Sequence, residues 1–103
     1  MSRKGKYALA TERRRLVWAR VIWPLVLELG EPSFTLAQYR AKRAAVCSEA
    51  ETRAASRGLA SLAQKGVLLR EGDLYSIHYR LIPYLRMGAG CDYATAMHEA
   101  GRL

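Results

Sequence analysis

Apolar residues recur at helical spacing from Leu16 through Ala19, Ile22/Trp23 and Val26/Leu27. Thr11 is the candidate N-cap of this helix and Gly30 its C-cap, with Glu12 near the favourable end of the dipole. Pro24 predicts a kink or a second start, because it lacks a backbone donor and clashes one turn back. Ser33 or Thr35 then caps a second helix through Leu36, Tyr39, Arg40, Lys42, Arg43 and Ala45. After a break at Val46-Cys47, Ser48 and Glu51 stand at capping-box spacing for a third helix over about 49–65. Ala55, Leu59, Leu62 and Ala63 form its core stripe, and Gly66 closes it.

Beyond Gly66 the period shortens to that of a strand. Residues 67–70 read as one strand, Glu71-Gly72-Asp73 as a tight turn and 74–81 as a second strand. Tyr75, Ile77 and Tyr79 would share one face of it, and Pro83 ends it. Asp92 caps a last helix over about 92–100. The expected fold is mainly α with a small β-hairpin: a basic arm over 1–10 and one domain over 11–103, since 103 residues suit a single core.

Charge is the compositional bias. Seventeen Lys and Arg face nine acids, for a formal +8, and residues 1–57 carry +7 of it. Thirteen of the cations are arginine, whose planar fork suits phosphate and guanine edges. Such a balance favours nucleic acid, an anionic membrane surface or an acidic protein as partner. Two cysteines cannot build a disulfide scaffold. The most apolar run, 21–27, is far short of the roughly 20 residues of a spanning helix, and Arg20 interrupts any leader-like region. A cytoplasmic protein without a membrane partner is therefore expected.

The segment Phe34-Thr-Leu-Ala-Gln-Tyr through Arg57-Gly-Leu-Ala-Ser-Leu-Ala-Gln-Lys-Gly-Val-Leu-Leu-Arg-Glu-Gly-Asp-Leu-Tyr-Ser-Ile resembles winged helix-turn-helix transcription regulators. Within it, Leu59-Ala-Ser-Leu-Ala-Gln-Lys-Gly-Val-Leu looks like the end of their recognition helix leading into the first wing strand. The resemblance spans about 34–79, and it departs from the usual pattern in having Val46-Cys47 where the turn customarily holds glycine. It implies a helix-turn-helix over about 34–66, a wing over about 67–81, an extra N-terminal helix and a short C-terminal one.

These residues suggest a duplex-binding surface. On the third helix Thr52, Arg53, Ser56 and Arg57 lie opposite the core stripe, where they would reach base edges in a major groove. Arg3, Lys4, Lys6, Arg13, Arg14, Arg15, Arg40, Lys42, Arg43, Ser48, Arg70 and Arg80 are candidates for phosphate contact, which fixes register without reading sequence. The blander alternative is a solvated face on which Glu49 pairs with Arg53, an arrangement worth only ~0.2–0.5 kcal/mol. One small module buries little DNA surface, so a homodimer is expected, with Trp18, Ile22 and Leu25 as candidate contacts. The expected function is sequence-specific double-stranded DNA binding in transcriptional control, with association to the nucleoid. The alternatives are a plasmid partition or replication adaptor and a protein-interaction winged helix, such as a phage-type inhibitor or assembly subunit.

Other chemistry is thin. Cys47, His78, Cys91 and His98 lack the close ligand pair of a zinc site, and Cys91 with His98 lacks an orienting third group. Gly88-Ala-Gly90 lacks the third glycine of a dinucleotide loop. A non-enzyme with no cofactor, metal or small-molecule effector is expected.

Overall fold

The computed structural model describes residues 6–101. It is mainly helical, with one small three-stranded antiparallel sheet. Helix α1 (Lys6–Val17) runs through a π-helical turn (Trp18–Ile22) into α2 (Trp23–Leu29). It begins five residues before Thr11, so residues 6–10, expected in the arm, are helical. The π turn is how the chain accommodates Pro24. Trp23 N–H reaches back to the Trp18 carbonyl, and Pro24 then falls in the first turn of α2, where a missing donor costs nothing. Gly30, left-handed at φ 65°, ends the helix.

The widened turn also explains the tryptophans. Residues five apart do not share a face of an α-helix, yet the Trp18 and Trp23 rings stack at 5.7 Å. Both are buried, and each indole N–H donates to a carbonyl of the 89–91 loop: Trp18 to Cys91 at 2.7 Å and Trp23 to Ala89 at 3.0 Å. Ile22 and Leu25 are buried in the same core. The expected dimer contacts Trp18, Ile22 and Leu25 are thus interior residues, because this helix is covered from several sides and needs its wide apolar circumference for its own core.

Strand β1 (Ser33–Thr35) was not expected, since Ser33 and Thr35 read only as caps. Thr35 does cap α3 (Leu36–Val46): its side chain accepts from Gln38 N–H while Gln38 reaches back to Thr35 N–H. Cys47 and Ser48 separate α3 from α4 (Glu49–Gln64), whose capping box pairs Ser48 with Glu51 as the spacing implies. Strands β2 (Leu68–Glu71) and β3 (Leu74–Ile77) form the hairpin, and β1 adds to β3, giving the order β1-β3-β2.

The second strand is shorter than expected. After Ile77 the chain turns through a 3-10 turn (Tyr79–Leu81) into α5 (Ile82–Arg86), so Tyr79 leaves the buried face and stands 68% exposed. His78 caps the turn by accepting from Arg80 N–H, and Pro83 starts a helix rather than only ending a strand. Helix α6 (Tyr93–Glu99) begins at its Asp92 cap.

One core cluster gathers Val17, Val21 and Val26 from the N-terminal rod, Phe34 and Tyr39, Leu59 and Leu62 from α4, Tyr75 and Ile77 from β3, and Leu81, Leu85 and Met97. Among the described residues no helix is long and apolar enough to cross a membrane.

Candidate nucleic-acid interface

Helix α4 sets the geometry. Ala55, Gly58, Leu59 and Leu62 face inward, while Glu49, Arg53, Ser56, Arg57, Ala60 and Gln64 form the exposed stripe on the other side. Gly58 is where α1 crosses. A Cβ there would collide with Val17 Cγ2 and come within 3.0 Å of the Arg13 carbonyl oxygen. Only glycine lets the two helices approach so closely. Tyr39 braces α4 from α3 by donating to the Ala55 carbonyl at 3.1 Å, and burial pushes its hydroxyl up to about 12.

That close crossing places Arg13 of α1 beside two arginines of α4. Arg13, Arg53 and Arg57, with Ala54 and Ser56, line an open cleft of about 490 Å3. Among the described residues none of the three guanidinium groups has an ion-pair or hydrogen-bond partner, and the Glu49–Arg53 pair does not form. Glu12 lies on an adjoining hollow with Leu9, Arg13, Leu16 and Ala54.

The other expected base-reading residues are less free. Ser56 donates its hydroxyl to the Arg53 carbonyl of its own helix at 2.8 Å, and Thr52 is half-buried. Ser48 is exposed but already accepts from Glu51 N–H. The backbone N–H of Ser48 in turn holds the Glu51 carboxyl below its ordinary value. Arg20 neutralises that carboxylate at 3.2 Å and also donates to the Val46 carbonyl. The acidic cap of α4 is thus offset by a cation from the preceding rod, a role the sequence pattern did not disclose.

Two expected phosphate contacts are placed elsewhere. Arg14 is only 7% exposed; its Nε donates to Tyr93 Oη at 2.7 Å, Nη1 to Ser61 Oγ at 2.8 Å and Nη2 to Thr11 Oγ1 at 3.1 Å. It is an interior tie between α1, α4 and α6, because three consecutive helical residues diverge by about 100° each and one must face the packed side. Lys42, with its side chain 15% exposed, is ion-paired to Glu28 of α2. Arg15 stays exposed and lies over the Tyr93 ring at 5.7 Å.

The remaining cations stay at the surface. Arg40 is exposed on α3, and Arg43, half-buried, lies over the Tyr39 ring. Arg70 of β2 lies over Tyr75 and donates to the Gly72 carbonyl at 2.9 Å. Arg80 lies over Tyr79, whose ring stacks on His78 at 4.6 Å. Arg3 and Lys4 lie outside the described residues, as does the side chain of Lys6.

Burial pushes the Cys91 thiol up to about 11 and also raises Cys47, so both are protonated at neutral pH. Among the described residues no group of three His, Cys, Asp or Glu is arranged to hold a metal. Comparison with protein-family models, curated proteins and solved structures gave no match.

Proposed function

We propose that this protein binds double-stranded DNA as a small winged helix-turn-helix regulator, with α4 in the major groove. The observation that carries the reading is the cationic exposed stripe of α4, centred on Arg53 and Arg57, on a helix whose opposite face is locked into the core. The element order supports it: α3, a two-residue joint, α4, then a hairpin to which a short strand before α3 is added. Arg40 on α3 and Arg70 on the hairpin supply flanking phosphate contacts. A palindromic or repeated site taken by two copies belongs to the proposal, since one module covers little DNA. Trp18, Ile22 and Leu25, filling the core, have no part in that contact.

Fluorescence anisotropy on a duplex, repeated from ~50 to ~200 mM salt, tests it. About five phosphate contacts lower affinity a few-hundred-fold over that range. No binding, or affinity indifferent to salt, rejects the groove-docking reading. A protein-interaction module would then stand, favoured by the groove of about 420 Å3 beside the sheet, where Leu69 and Tyr79 are 60% and 68% exposed.

A further inference from the structure

We infer that Arg13, Arg53 and Arg57 form a single phosphate-binding site shared between α1 and α4, and that Arg57 works there rather than on a base edge. The inference rests on the duplex-binding reading and names the ligand of one part of that surface: a backbone phosphate of the bound DNA. Three features carry it. The three guanidinium groups line one cleft and no carboxylate lines it with them. Among the described residues no carboxylate forms an ion pair with any of the three, so the cleft concentrates positive charge that an anion would relieve.

The cleft is also held rigidly. Gly58 fixes the separation of the helices through its contact with Val17 and the Arg13 backbone. One residue along α1, Arg14 is bonded to Ser61 of α4 and Tyr93 of α6, which sets the rotation of α1 against α4. Arg13 is thus presented by a helix that cannot turn away. Forked donors from two elements, closing on one open hollow, match the tetrahedral oxygens of a phosphate better than the flat edge of a base.

The test compares unrelated duplexes bound by the full chain, the single variants Arg13→Gln and Arg57→Gln, and the double variant. Each single variant weakens every duplex alike, by about tenfold, and reduces the salt slope by no more than about one. Because both arginines grip one phosphate, the double variant also loses about one, not two. Arg86→Gln, an exposed charge on α5 outside the cleft, leaves the slope unchanged. A slope loss of two in the double variant, or an Arg57→Gln loss confined to one duplex sequence, overturns the shared site while duplex binding stands.

If the wild-type chain binds no duplex, the regulator reading falls and inorganic pyrophosphate decides the cleft. Nε–H resonances of Arg13, Arg53 and Arg57 shifting together, ahead of other exposed arginines, keep it as a site for free phosphate. Uniform shifts across all exposed arginines, or none, overturn it.

Discussion

A guanidinium taken out of water persists only where its donors are met, and Arg14 meets them with neutral oxygens of Thr11, Ser61 and Tyr93. Removing it leaves the Tyr93 and Ser61 hydroxyls without their partner and opens a hole between three helices. Arg14→Ala is therefore expected to destabilise by ~2–4 kcal/mol, read by urea denaturation. Arg14→Lys does not rescue it, because one ammonium cannot serve three separated acceptors along the fork directions. Arg15→Ala, one position on, changes stability by under ~0.5 kcal/mol. Equal effects at the two positions would refute the interior role. The run Arg13-Arg14-Arg15 shows how much of the site could be read in advance. Its charge was plain, and so was the helix beneath it. Which member turns inward depends on where α4 crosses, and that is fixed by Gly58, a residue to which the periodicity assigned no role.

Most helix caps were legible because their chemistry is local: Ser48 and Asp92 cap as expected and Thr35 is the one of its two candidates that does, whereas Thr11 lies inside α1 and caps nothing. The π turn, β1 and α5 were not, since each is at most five residues long and is held by contacts distant in sequence. The α1–α4 crossing belongs to the second group, and it makes a definite claim. Alanine is a better helix former than glycine by ~1 kcal/mol, so propensity alone favours Gly58→Ala. The collision with Val17 opposes it, and overpacking of this kind costs ~1–3 kcal/mol. Net destabilisation is expected in thermal melts, with Val17→Ala restoring part of it by making room. A stabilised Gly58→Ala would mean the helices are not in such close approach. The caps carry their own pH dependence. Backbone N–H groups of Ser48 and Thr95 hold the Glu51 and Asp92 carboxyls low, so this stabilisation is complete above the ordinary carboxylate range. It is lost as pH falls through the lowered values. Melting temperature should drop on acidification below about pH 4, and less steeply in Asp92→Asn.

For the molecule as a whole, folding and binding should respond to salt with opposite signs. A formal +8 on a compact body with a radius of gyration of 13.1 Å repels itself, and salt screens that repulsion. Salt also weakens the Arg20–Glu51 and Lys42–Glu28 pairs, which pulls the other way. Exposed pairs contribute little even at low salt, whereas an excess of eight like charges acts at every point of the surface, so the repulsion term dominates. Raising ionic strength from ~10 to ~150 mM, where the Debye length shrinks from ~30 to ~8 Å, should lift the melting temperature by a few degrees. Over the same change duplex affinity should collapse, since there the charges are attracted to phosphate rather than repelled by one another. Both are measured on one protein sample, by differential scanning fluorimetry and by anisotropy. A melting temperature that falls as salt rises would mean that internal ion pairing outweighs the self-repulsion, and an affinity that does not fall would remove the claim of the cationic face of α4 to an external partner.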